Sequence, residues 1–132
     1  MRRLRIALST VLGLTIALVS TRLVRRYVIE GRSMLRAFAP DDRLLVESLT
    51  YRLRSPRIGE VVVLKQHGSN GRLDIKRIVA GPGSTVMVGA EECVLASDEW
   101  YVLGDNLGES RDSRTLGPVK TKDIVGRAWL KY

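Results

Sequence analysis

Four short runs hold the residues able to do chemistry: Gly31-Arg32-Ser33-Met34, Arg57-Ile58-Gly59-Glu60-Val61-Val62-Val63, Asp74-Ile75-Lys76-Arg77-Ile78-Val79, and Gly104 to Arg114 followed by Gly117-Pro118-Val119. Their composition narrows that chemistry. Cys93 is the only cysteine and His67 the only histidine, so neither an intrachain disulfide nor a zinc site of the usual Cys/His kind can be assembled. Any reaction falls to serine, lysine, arginine and carboxylates.

These runs sit at the ends of segments that a rigid scaffold can hold. Beyond Arg26 the chain is a series of short β-branched stretches broken by Gly, Pro, Asp and Asn, with no helical period sustained over a dozen residues. Strands are expected near Tyr27–Glu30, Arg43–Ser48, Glu60–Gln66, Leu73–Ala80, Thr85–Val88, Trp100–Leu103 and Ile124–Leu130, which makes a mainly β domain. His67-Gly68-Ser69-Asn70-Gly71 suits a hairpin turn, and Gly81-Pro82-Gly83 a sharp turn. In the strand 73–80, period-2 alternation sets Lys76 on one face with Asp74 and Ile78, and Arg77 on the other with Ile75 and Val79. Trp100, Tyr101, Trp129 and Tyr132 are each expected in the core rather than at a membrane interface.

In this order and spacing the four runs resemble the type I signal peptidase family, including its mitochondrial inner-membrane branch. Gly-x-Ser-Met alone carries little weight; the Gly-Asp-Asn, Ser, Asp-Ser-Arg, Gly-Pro-Val run is specific because many positions must coincide. The resemblance implies a signal-peptidase or repressor-protease-like β-fold, with Ser33 as nucleophile and Lys76 as general base. A serine hydroxyl attacks a peptide carbonyl only if a neighbour takes its proton, and an ammonium cannot do so. The lysine must therefore be neutral, a state that apolar burial can impose at a cost of roughly 3–5 kcal/mol. The resemblance further implies that Ser110 hydrogen-bonds and orients Lys76, that Asp105 pairs with Arg77, and that Asp112 pairs with Arg114. The backbone N–H of Ser33 is the implied oxyanion donor. Gly31 stands where some relatives carry a further hydroxyl donor, so that donor is absent here. No metal or organic cofactor is implied.

The chain departs from the family at Ser-Met-x-Pro-Thr, reading Ser33-Met34-Leu35-Arg36-Ala37. Losing the proline weakens a rigid turn behind the nucleophile. The interval from Gly83 to Trp100 leaves no room for the large inserted β-domain of some bacterial relatives, so a minimal catalytic core is expected.

Residues 6 to 21 carry no charge and are bracketed by Arg2, Arg3 and Arg5 on one side and Arg22, Arg25 and Arg26 on the other. As a helix that run is about 24 Å long, somewhat short of a hydrocarbon core of about 30 Å, and snorkelling of Arg22 would lengthen it. With no small-x-small exit after it, it reads as a retained signal anchor rather than a cleaved signal. The flanking arginines balance, so orientation rests on the resemblance, which places the catalytic domain outside the cytoplasm.

The formal charge of +8 does not point to nucleic acid. Six basic residues and no acidic one lie in residues 1–26, leaving the rest close to neutral. Attraction to anionic headgroups explains the surplus better. The expectation is a single-pass protein of the plasma (inner) membrane, with residues 1–26 as anchor and 27–132 as an extracytoplasmic Ser/Lys protease domain that removes signal peptides from preproteins. Its partners are those signal peptides and membrane lipids, not nucleic acid. The alternatives are a membrane-anchored binding subunit with little catalysis, motivated by Arg36 and Ala37, a protease for one client, and a self-cleaving repressor-type protease.

Overall fold

The computed structural model describes residues 2–66, 68 and 70–132, so His67 and Ser69 of the expected hairpin turn lie outside the described residues. The side chains of Arg2 and residues 19–22 lie outside them too, and with them the expected snorkelling of Arg22. Helix α1 (Arg2–Leu23) leads into β1 (Val24–Val28), β2 (Arg43–Glu47), α2 (Thr50–Leu53), β3 (Val61–Lys65), β4 (Leu73–Ala80), β5 (Thr85–Val88), β6 (Glu91–Val94), β7 (Glu99–Leu103), α3 (Ser113–Leu116), β8 (Val119–Lys120) and β9 (Ile124–Lys131). The described chain is mainly β.

Seven strands form one sheet in the order β1-β2-β9-β3-β4-β7-β8, and β5 and β6 pair as a separate hairpin. In the centre, β3 pairs antiparallel with β4 so that Val62 opposes Lys76, Val63 opposes Ile75 and Leu64 opposes Asp74. That register divides the core. Val62, Leu64 and Ile78 pack with Trp100, Val102 and Val119 on one face, while Val63 packs with Leu44 and Val46 on the other. Val62, Val63, Leu64, Ile78 and Val102 are completely buried, and each such side chain contributes about 1.5–3 kcal/mol of apolar burial. The face carrying Lys76 is therefore the face of the larger core cluster.

Several elements differ from the sequence-based expectation. The first strand begins at Val24, because Val24, Arg25 and Arg26 pair with Glu47, Val46 and Leu45; the arginines hid a strand whose backbone is what pairs. Strands β6 and β8 were not expected, the first because Glu91-Glu92 is an exposed, poorly strand-forming start and the second because it is two residues long. Trp100 and Tyr101 are buried, but Trp129 and Tyr132 are 60% and 52% exposed. The cause lies in the pairing of β2 with β9, which slips between Leu45–Leu130 and Val46–Ala128 and leaves Trp129 as an extra residue outside the alternation.

Helix α1 stands apart in composition. Leu4, Ile6, Leu8, Val11, Leu12, Leu14, Ile16 and Leu18 are all more than 60% exposed. Thr10 and Thr15 satisfy their hydroxyls within the helix, Thr10 Oγ1 donating to the Ile6 carbonyl at 2.7 Å and Thr15 Oγ1 to the Val11 carbonyl at 2.6 Å. Among the described residues no helix is long and apolar enough to cross a membrane by itself.

Candidate active site

After β1 the chain turns through residues 31–37, and this turn presents Ser33. Gly31 has φ +84°, a left-handed conformation that glycine adopts without Cβ strain. Backbone bonds from Ile29 N–H to Asp42 and from Asp41 N–H to Ile29, both 2.9 Å, close the base of the loop. Met34 plugs it from below, with 2% of its surface exposed.

Lys76 comes from the centre of β4 and is 2% exposed. Its Nζ lies 3.2 Å from Ser33 Oγ, within donating distance, and 4.0 Å from Asp74 Oδ2 on the same strand face. A serine hydroxyl and a lysine amine are thus in hydrogen-bond contact inside the protein, the geometry a nucleophile and its base require.

The run from Gly104 to Arg114 ties these two together. The Asn106 N–H donates to the Ser33 carbonyl at 2.8 Å, Asn106 Nδ2 donates to the Arg32 carbonyl at 3.0 Å, and Asp105 N–H approaches Met34 Sδ at 3.4 Å. Arg77, on the opposite face from Lys76, meets Asp105 with two parallel bonds of 2.8 and 2.7 Å. Hydrogen bonding to Asp105 outweighs burial and holds the Arg77 guanidinium above its ordinary pKa. Arg77 also donates to the Gly59 carbonyl, which joins the second run to the fourth.

Asp112 anchors the other end. It is 1% exposed, accepts from Gly104 N–H at 3.0 Å, and takes bonds from Arg114 Nε and Nη2 at 2.9 and 3.1 Å. Burial pushes its carboxyl up, but Arg114, the Gly104 N–H and the nearby Ser110 hydroxyl together bring it below the ordinary range. Arg114 continues to the carbonyls of Leu107 and Ser110, so one ion pair fixes the whole turn.

Ser33, Lys76, Gly31, Arg77, Asp105, Ser110, Asp112 and Arg114 are all gathered here. The expected bond from Ser110 to Lys76 is not formed: Ser110 Oγ is buried, lies near the Asp112 carboxylate, and closes no hydrogen bond of normal geometry. It is instead packed against Gly104, where an added Cβ would fall 2.2 Å from Ser110 Oγ and 2.6 Å from the Ser33 carbonyl oxygen.

Sequence reasoning assigned no part in the site to Asn106, Gly104, Ser113 or Gln66. Ser113 Oγ, fully buried, accepts from Val102 N–H at 3.0 Å, and Gln66 Nε2 donates to the Arg111 carbonyl at 3.3 Å. Gly104 and Asn106 left a signal as the turn-forming neighbours of Asp105, and Ser113 as the middle residue of the Asp-Ser-Arg triplet, while Gln66 left none.

Ser33 opens onto a cleft of about 670 Å³ lined by Tyr27, Ile29, Met34, Ile75, Asp74 and Arg111 among others. It is bounded by residues of β1 and β4, which have three strands between them in the sheet, so the sheet curls to bring them together.

Comparison with known proteins places these features in a family. The model described as "Signal peptidase, peptidase S26" matches residues 2–95 and 87–132. A probable signal peptidase I-1 of Synechocystis sp. is 30% identical over 90% of this chain and 79% of its own. A signal peptidase I of Leptolyngbya laminosa is 32% identical over 83% of this chain and 71% of its own. Subunit 2 of the mitochondrial ATP-independent inner membrane protease of Arabidopsis thaliana is 38% identical over 54% of this chain and 38% of its own.

Proposed function

Because the chain belongs to the signal peptidase S26 family, a serine endopeptidase of signal peptidase I type, we propose that it removes signal peptides from preproteins with Ser33 as nucleophile and Lys76 as base. The observation that carries this reading is the 3.2 Å contact between Lys76 Nζ, buried on the core face of β4, and Ser33 Oγ.

In the reaction, Ser33 Oγ attacks the scissile carbonyl while its proton passes to Lys76 Nζ. The tetrahedral oxyanion is met by the Ser33 N–H. When the intermediate collapses, Lys76 returns the proton to the departing amine and leaves an acyl-enzyme on Ser33. Water, giving a proton to the same amine, then attacks the acyl carbonyl and releases the signal peptide from Ser33 with a free C-terminal carboxylate, the mature N-terminus having left as the amine in the step before. Asp105 with Arg77 and Asp112 with Arg114 hold the loop that fixes the Ser33 carbonyl, and Ser110 and Gly31 shape the space around it. The apolar lining by Ile29, Met34 and Ile75 suits the small residues that the family accepts before the cut.

Residues 1–26 are proposed as the anchor with its basic flank, the last three of which already pair into the sheet as the start of β1, and 27–132 as the catalytic domain, outside the cytoplasm in a single-pass topology. The uncovered apolar surface of α1 supports a membrane tether. Its uncharged part is short for a full span, which a locally thinned bilayer and flanking arginines at the interface accommodate. The decisive experiment incubates the detergent-solubilised protein with preproteins and sequences the new N-termini. Ser33→Ala, Lys76→Ala and the double variant should fall to one common floor; additive losses would show that one residue is misassigned. Labelling of Ser33 by an acylating serine-directed probe would exclude the binding-subunit alternative.

A further inference from the structure

The turn that follows β2 has an unusual surface. Leu49, Arg52 and Leu53 stand at i, i+3 and i+4 around α2, a spacing that puts them on one side of a helical turn. Tyr51, between them, packs instead on the core. Leu49 is 42% exposed and Leu53 77%, the highest value among the exposed large hydrophobics of the described residues. This patch is fastened to the end of α1, because Ser48 N–H donates to the Leu23 carbonyl at 2.9 Å. Arg25, exposed on β1 two residues beyond that end, pairs with Val46.

The charges around the patch are sorted by sign. Its two acids turn inward: Glu47 accepts from Thr50 N–H and Arg127, and Glu60 accepts from Tyr51, Arg54 and Arg57 N–H. The cations Arg25 and Arg52 are exposed and make no ion pair among the described residues. Apolar side chains flanked by uncompensated arginines, with the acids withdrawn, match the chemistry of an anionic lipid interface.

We infer that α2 is a second lipid contact, which seats the catalytic domain on an anionic membrane surface beside the point where α1 leaves it. This rests on the tether reading above. Leu49 and Leu53 enter the headgroup boundary, and Arg25 and Arg52 pair with lipid phosphates.

The test uses the full chain with Cys93→Ala and Leu53→Cys, the new thiol carrying an environment-sensitive fluorophore. Because residue 53 is exposed, the substitution leaves the fold intact. The protein is reconstituted into vesicles of phosphatidylglycerol and phosphatidylcholine in equal parts, or of phosphatidylcholine alone, containing lipids with a nitroxide near the headgroup. Flotation of the vesicles reports the tether, and nitroxide quenching reports α2. The expected result is flotation in both cases, with quenching several-fold stronger on the anionic vesicles and reduced by Arg52→Ser. A chain that floats while its label stays unquenched overturns this inference and leaves the tether reading intact. A chain that does not float overturns both.

Discussion

Asn106 and Ser33 are joined backbone to backbone: the Asn106 N–H donates 2.8 Å to the carbonyl of the proposed nucleophile itself. The loop that carries the ion pairs is thereby the splint of the loop that carries the hydroxyl. Replacing Asn106 by Ala keeps this bond and removes only the one from Nδ2 to the Arg32 carbonyl. Stability should fall by about 1 kcal/mol and turnover several-fold. Asn106→Pro removes the N–H as well and should cost much more activity, with KM changing less than kcat.

Gly104 is predicted to be the least replaceable glycine at the site. A Cβ there meets backbone at the Ser33 carbonyl as well as the Ser110 side chain, and backbone cannot swing away. Gly104→Ala should destabilise by about 1–3 kcal/mol and remove nearly all cleavage. Ser110→Gly in the same chain relieves only the side-chain part of the clash, so thermal unfolding should recover partly and activity should not.

Arg36 has φ +87°, at the position where the Ser-Met-x-Pro-Thr pattern of the resemblance calls for proline. A proline ring is confined near −65°, so restoring the family residue should destabilise this turn rather than stiffen it. Arg36→Gly, which removes the Cβ strain, should raise the melting temperature modestly. Thermal melts of the two variants should therefore move in opposite directions.

Asp112 titrates below the ordinary carboxylate range in the folded chain, because Arg114 and the Gly104 N–H overcome the effect of burial. Glu60 does likewise, through Arg54, Tyr51 and the Arg57 N–H against burial. A carboxyl with a lower pKa folded than unfolded stabilises the native state fully above its unfolded value, and that stabilisation is lost as pH falls through the folded one. Stability should therefore decline below about pH 4. Asp112→Asn, measured by denaturant midpoint against pH, should weaken the protein near neutrality and flatten this acid limb.

The strand β4 could be read to the residue, because its alternation is strong and Gly71 and Gly81 bracket it. The same alternation separated Lys76 from Arg77 before any geometry was known. What could not be read depends on tertiary partners. Arg25 and Arg26 look like a charged flank, yet their backbone pairs with Val46 and Leu45. Trp129 looks like core, yet a slip in register turns it outward. Ser113 sits in the Asp-Ser-Arg triplet, but its part is hidden until Val102 N–H is found to donate to its hydroxyl. The family pattern supplied a role for Ser110, and the packing gave its side chain to Gly104 instead.

Helix α1 ends at Leu23 and β1 begins at Val24, with no residue between them, while Ser48 bonds back to the Leu23 carbonyl. A protein mounted in this way has no swivel. In the proposed tethered state the height and heading of the Ser33 cleft are inherited from the tilt of α1, so the enzyme works as a gauge with a fixed jaw. Scissile bonds presented at one depth are accepted, and those presented a few residues higher or lower fall outside its reach. A flexible spacer inserted between Leu23 and Val24 should broaden the range of positions cut in a series of preproteins with lengthened signals, at the expense of rate on the best of them.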